Sequence, residues 1–167
     1  MKFHSSLLTI LTIAALAALS GCKGAQKSGD SEGGGGGSVS ESDINSDMAD
    51  SDSGRAMGLQ TVHYDYDSSN LSGEAKATLN QNASIMKDNG SVKIQVEGHC
   101  DERGGIQYNI ALAERRAKSA KSYLVEHGVP ANRISVISYG KEKPLDPGHS
   151  EDAWAKNRRA NFRITEK

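Results

Sequence analysis

The chain has 167 residues, 20 Lys and Arg against 21 Asp and Glu for a net charge of −1, and only 5% aromatic side chains. That length holds about one ordinary domain with attachments, which excludes most two-domain enzymes, and the near-even charge excludes nucleic acid as the default partner. Three segments of different character divide it: an apolar leader, a stretch over residues 23–58 almost without large apolar side chains, and residues 59–167, which carry nearly all the patterned hydrophobicity.

In the leader, Lys2 precedes an uncharged apolar run from Leu7 to Leu19 that ends in small residues, the layout of a secretory signal peptide over residues 1–21. A bilayer span needs about 20 such residues, so the run is too short to cross one. Leu19-Ser20-Gly21-Cys22 resembles the lipobox of bacterial lipoproteins, in which the Cys becomes the lipid-modified mature N-terminus. The resemblance implies acylation at Cys22 and, with Lys23 rather than Asp in the sorting position, delivery to the outer membrane with the domain facing the periplasm.

Residues 22–58 read as lipidated Cys22 followed by a disordered linker, because nine Gly, eight Ser and seven acids between 23 and 58 cannot bury enough apolar surface to offset ordering entropy. Fully extended it reaches on the order of 120 Å; as a flexible coil its span is about 30 to 36 Å.

The domain is expected from residue 59 to 167. Thr61 to Tyr66 is β-rich and predicts a first strand, with a turn over Asp67 to Gly73. Ala75, Leu79, Ala83 and Met86 recur at helical spacing between Gly73 and Asn89. Val92, Ile94 and Val96 alternate with Lys93, Gln95 and Glu97, the pattern of a half-buried strand with one wet face. Gly98 to Gly105 is expected to be a loop. Ile106, Ile110, Ala113, Ala117, Ala120 and Leu124 then give the strongest helical period in the chain, ended by His127-Gly128-Val129-Pro130. A strand from Arg133 to Ser138, a loop from Lys141 to Ser150, a short helix from Glu151 to Arg159 and a last strand from Ala160 to Thr165 complete the order. Strands alternating with helices predict a two-layer sheet packed by helices.

Chemistry concentrates in His99-Cys100-Asp101-Glu102-Arg103, between a strand end and a helix, a common place for a binding loop. A Cys-His nucleophile pair fits poorly, because successive residues of an extended chain point to opposite faces. A metal site lacks CxxC or HxxxH spacing, although His63 and His149 are in the chain. Ionic recognition is the third reading. Asn109, Leu112 and Arg116 form one stripe along the following helix, which carries a cation near the loop of Asp101 and Arg103. A solvated face at Arg115 and Arg116, with Asp101 merely paired to a neighbouring Arg, accounts for the same spacing.

Several stretches then carry a family resemblance: Thr61-Val62-His63-Tyr64-Asp65-Tyr66-Asp67, Val96-Glu97-Gly98-His99-Cys100-Asp101-Glu102-Arg103-Gly104, Tyr108-Asn109-Ile110-Ala111-Leu112-Ala113-Glu114-Arg115-Arg116-Ala117, Ser138-Tyr139-Gly140-Lys141-Glu142-Lys143-Pro144 and Lys156-Asn157-Arg158-Arg159-Ala160. In order and over the whole domain they resemble the peptidoglycan-associated lipoproteins with their OmpA-like C-terminal domain. The resemblance implies an α+β, two-layer βαβαβ(α)β fold with a mixed four-stranded sheet. It also implies non-covalent binding of the diaminopimelate residue of the peptidoglycan stem peptide, with no enzymatic activity and no cofactor. Asp101 matches the residue that meets the ligand's ammonium and Arg116 the one that meets a ligand carboxylate; Tyr66, Asp67, Arg103, Asn109 and Leu112 match the rest of the pocket. Arg158 and Arg159 match a pair expected to be chiefly structural, bonding loop carbonyls. TolB of the Tol-Pal envelope system is the implied protein partner, with a part in outer-membrane constriction at division.

Cys100 departs from the small Thr or Ala usual at its position and reads as a small apolar replacement packed under the loop. Two other functions stay open: an OmpA-like wall-binding lipoprotein without TolB, and a wall hydrolase or metal-dependent enzyme.

Overall fold

Helix α1, Gly73–Asp88, starts where the Ser72 hydroxyl accepts the Ala75 N–H and stops at Asn89, caps of the kind that satisfy orphaned helix ends. The apolar residues Ala75, Leu79, Ala83 and Met86 are all buried. The second helix, α2, runs over Ile106–Glu126; its buried Ala117, Ala120 and Leu124 join α1 over an apolar sheet face of Val62, Ile94, Val96, Ala160, Phe162 and Ile164, while Ala113 packs with Leu112 and Cys100. This computed structural model describes residues 49–167; the expected signal peptide, the lipidation site Cys22 and the linker up to residue 48 lie outside the described residues. Among those described, no helix is long and apolar enough to cross a membrane.

The remaining elements are β1 (Val62–His63), β2 (Lys93–His99), a 3-10 turn at Ala131–Arg133, β3 (Ile134–Gly140), the short helix α3 (Glu151–Asn157) and β4 (Arg159–Glu166). The sheet order is β1-β4-β2-β3. β2 runs parallel to β3, with Val96 opposite Val136, and antiparallel to β4, with Val96 opposite Phe162. β1 is antiparallel to β4. This is the mixed four-stranded sheet with helices that the resemblance implies.

Four details differ from the sequence reading. The first strand is two residues long, not six, because beyond Tyr64 the backbone carbonyls are taken by side chains rather than by a neighbouring strand: Arg158 Nε donates to the Tyr64 carbonyl and Arg116 Nη2 to that of Asp65. β2 has no wet face at its far end. It lies between two other strands, Glu97 and His99 are 7% and 2% exposed, and Asn161 donates to the Glu97 carboxylate at 3.0 Å. Ile106 is 55% exposed rather than core, since the helix begins out at the loop that follows β2.

The largest correction concerns the linker. Residues 49–58, assigned by composition to a disordered stretch, are part of the folded unit. Ser51 N–H donates to the Phe162 carbonyl and Ala49 accepts from Ile164, both at 3.0 Å, so this strap pairs antiparallel with β4, with Asp50 opposite Arg163. The Ser51 hydroxyl bonds Asn161 at 2.8 Å, Asp52 takes Arg159 Nε at 2.7 Å, and Ala56 is fully buried.

One glycine sets the spacing between layers. A Cβ built on Gly98 would lie 1.9 Å from the backbone oxygen of Ala113, so β2 and α2 touch backbone to backbone there. That approach brings the chain leaving β2 alongside the first turns of α2.

Candidate functional site

At this junction the chain makes a cavity of about 240 Å³. It is bounded by Tyr66 and Asp67 from the loop after β1, by Cys100, Asp101, Arg103 and Gly104 from the loop after β2, and by Tyr108, Asn109, Leu112 and Arg116 from α2. All seven domain residues singled out in the sequence, Tyr66, Asp67, Asp101, Arg103, Asn109, Leu112 and Arg116, line this one space. Cys100, Gly104 and Tyr108 line it as well and were not anticipated as site residues. Tyr108 had a legible signal, since it stands four residues before Leu112 and so extends the stripe of Leu112 and Arg116 by one turn.

The polar side chains around it are held by identifiable bonds. The Asn109 amide donates to the carbonyls of Arg103 and Gly105 at 2.8 and 3.3 Å, tying the loop to the helix. The Tyr108 hydroxyl donates to the Asp67 carboxylate, which joins the two sides of the cavity mouth; Asp67 itself has a φ of 51°, the left-handed region that Asp tolerates better than most residues. Cys100 points into the cavity while His99, one residue earlier, stacks on Tyr139 at 5.5 Å, so the two do not form a nucleophile pair. Burial pushes the Cys100 thiol above its ordinary range. Among the described residues no group of three or more His, Cys, Asp or Glu could hold a metal ion.

Arg116 forms the floor and is 1% exposed. Its Nε donates to the Ser68 carbonyl at 2.8 Å, Nη1 to His99 at 3.0 Å and to the Cys100 sulfur at 3.3 Å, and Nη2 to Asp65 at 3.0 Å. A guanidinium has five N–H groups, so these contacts leave one on Nη2. No carboxylate among the described residues pairs with it, and burial pulls its pKa below the ordinary Arg value. Beneath it Tyr64 donates its hydroxyl to the Arg116 carbonyl at 2.7 Å, and burial raises that phenol to about 12.

Asp101 is the opposite case. Burial alone would push its carboxyl up, but the hydrogen bonds and charge of Arg103, with help from Arg158, outweigh it and hold the group below the usual carboxylate range. Arg103 lies over the rings of Tyr66 and Trp154, at 4.2 and 4.1 Å from their centroids, a placement that favours a cation over aromatic faces. Trp154 comes from α3, and nothing in its sequence neighbourhood pointed to this contact. Arg158 bonds the Tyr64 carbonyl, as expected of the pair, and reaches Glu151 at 2.9 Å and Asp101 at 3.4 Å; Arg159 bonds the Asp52 carboxylate of the strap instead of a loop carbonyl.

The cavity therefore combines a buried cation lacking an anion with an ionised carboxylate on a neighbouring wall. Such a site suits a small zwitterionic group, because a planar Arg fork matches a carboxylate and the Asp matches an ammonium.

Comparison with known proteins agrees with the fold. The model of the OmpA family matches residues 63–158. A peptidoglycan-associated lipoprotein from Pseudomonas aeruginosa is 40% identical over 144 residues, which cover 84% of this chain and 85% of that one. Another from Pasteurella multocida is 46% identical over 100 residues, covering 60% and 67%. Among solved structures, the peptidoglycan-associated lipoprotein from Burkholderia pseudomallei superposes with a TM-score of 0.61 at 37% identity, covering 63% of this chain and 89% of that one. The C-terminal domain of Helicobacter pylori MotB superposes with a TM-score of 0.62 at 24% identity, covering 66% and 87%, and shares the fold. The chain belongs to the OmpA family and groups there with the peptidoglycan-associated lipoproteins.

Proposed function

We propose that this protein is an outer-membrane lipoprotein that binds peptidoglycan non-covalently through the diaminopimelate residue of the stem peptide, tethering the membrane to the wall without catalysing a reaction. The names of its relatives support association with peptidoglycan. The single observation that carries the ligand assignment is Arg116, a buried guanidinium with no carboxylate partner at the floor of a cavity whose wall holds Asp101. A free diaminopimelate end offers the missing carboxylate together with an ammonium. Tyr66, Asp67, Asn109 and Leu112 shape the space around it.

Cys22 is the lipid attachment point in this reading, and residues 1–21 are removed. A lipid tether holds the domain beside a polymer bearing many copies of the ligand, so affinity for each copy need not be high. TolB is the proposed protein partner, and constriction at division the proposed setting.

The test is pull-down of the full-length protein, purified in detergent, on isolated sacculi with and without free diaminopimelate. Binding that the free amino acid competes away, and that Arg116→Lys loses while remaining folded, is the expected result. A folded wild type that ignores sacculi, or binding insensitive to diaminopimelate, overturns the assignment. Pull-down of purified TolB with the same detergent-purified protein tests the partner separately.

A further inference from the structure

Asp101 has no vacant acceptor position. Its Oδ1 accepts the backbone N–H of Arg103 at 3.1 Å and Arg103 Nε at 3.2 Å. Its Oδ2 accepts Arg103 Nη2 at 2.7 Å and Arg158 Nη1 at 3.4 Å. An ionised carboxylate offers about four acceptor sites, so four N–H groups fill it. An ammonium arriving at Asp101 has to take a place already occupied.

The occupants differ in how firmly they are held. The Arg103 backbone is fixed by the loop, where Asn109 bonds its carbonyl. Arg158 is buried, with Nε on the Tyr64 carbonyl and Nη1 on Glu151. The Arg103 side chain is 29% exposed and already leans toward a second acid, with Nη1 at 3.4 Å from Glu151. The Tyr66 and Trp154 ring centroids lie 4.2 and 4.1 Å from its guanidinium carbon, so both rings border the short path from Asp101 to Glu151. The charges are unevenly shared: Asp101 has two cations, Arg116 has no anion, and the exposed Glu151 takes Arg158 on one oxygen and has Arg103 at 3.4 Å from the other.

We propose that Arg103 is a latch, whose guanidinium occupies the ammonium seat on Asp101 in the free protein and is passed along the path bordered by Tyr66 and Trp154 to Glu151 when a ligand ammonium takes that seat. This rests on the reading of the cavity as a diaminopimelate site. It makes Arg103 a specificity-determining residue. A ligand bearing only carboxylates reaches Arg116 but leaves the latch in place, whereas one with an ammonium beside its carboxylate displaces it.

Trp154 is the only tryptophan of the chain, so its emission reports that path directly. The full-length protein in detergent is titrated with diaminopimelate and with pimelate, which lacks both amino groups, following Trp154 emission and, independently, release from sacculi. The wild type is expected to change emission with diaminopimelate and not with pimelate. Arg103→Gln removes the competing cation and should bind diaminopimelate about threefold or more tightly than the wild type, the scale of a part-exposed ion pair, with no emission change. Arg103→Lys keeps the charge without the fork and should lie between, and Glu151→Gln, which removes the receiving acid, should weaken binding. Diaminopimelate that releases the wild type from sacculi while Arg103→Gln binds equally or more weakly sinks the latch and leaves the ligand assignment standing. Diaminopimelate that neither releases the wild type nor changes its emission sinks both.

Discussion

Substituting Gly98 by Ala should damage the fold and the cavity together. The added Cβ would stand 1.9 Å from the Ala113 oxygen, 2.6 Å from its carbonyl carbon and 3.3 Å from its Cα. Ordinary van der Waals contact begins near 3.4 Å, so the layers must separate by about 1.5 Å at this point. The obstructing atoms are backbone, which means that shrinking a side chain on α2 gives no relief and the helix as a whole has to recede. Overpacking a tight core costs about 1 to 3 kcal/mol, and a rigid backbone contact belongs at or above the upper end. A loss of about 3 kcal/mol lowers the melting midpoint of a domain this size by roughly 10 to 15 °C. Because Asn109, Leu112 and Arg116 ride on the same helix, sacculus binding should fall at temperatures where the variant is still folded. Urea denaturation and sacculus pull-down on wild type and Gly98→Ala read both effects. A variant within about 0.5 kcal/mol of the wild type would refute the backbone contact between β2 and α2.

Three further outcomes are expected. Arg116→Lys keeps the charge but cannot reach the carbonyls of Asp65, Ser68 and His99 together, so it should cost about 2 to 4 kcal/mol of stability in urea and abolish sacculus binding; retention of both would show that the fork is dispensable. His99 is buried and burial, with Arg159 nearby, holds its pKa below the ordinary 6.5 despite Glu97 and Asp52. The unfolded chain therefore takes up a proton there that the folded chain refuses. Stability should be fully present above pH 6.5, decline as the pH falls from 6.5 toward the lower folded value and then level off; denaturation series at several pH values should show this slope shrink in His99→Phe, and an unchanged slope counts against it. Cys100 is 3% exposed and its thiol is pushed up by burial, so it should resist a thiol-specific dye in the folded protein and react promptly in urea, whereas rapid labelling of the native state would show that the cavity floor opens.

The helices and the cavity were legible because their signals are local. Ala113, Ala117, Ala120 and Leu124 announce their burial by spacing alone, and Asn109, Leu112 and Arg116 announce a second stripe on the same helix. Ile106 has the right spacing and the wrong surroundings, since periodicity records which face a residue occupies and not whether anything packs on it. Resemblance, rather than spacing, brought Tyr66 and Asp67 to the site. What escaped the sequence depends on partners far along the chain. Ser51 and Asp52 sit in a stretch whose composition reads as solvated, yet they are ordered by Asn161 and Arg159 at the other end of the domain. Glu97 alternates as a solvent-facing residue should and is instead covered, because β2 is an inner strand and Asn161 meets its carboxylate. The clasp of Arg103 by Trp154 joins residues separated by half the domain, and no local pattern encodes it.

The strap also decides how the domain meets mechanical load. A pull applied from the N-terminal side of Ala49 is borne first by two backbone bonds to β4, by the bonds of Ser51 and Asp52 with Asn161 and Phe162, and by the contact of Asp52 with Arg159. Those links lie ahead of every bond that joins β4 to β2. When they yield, residues 49–52 add roughly 14 Å of extended chain without touching the bonds of Asp101 and Arg116. Slack is thus released before the cavity is disturbed.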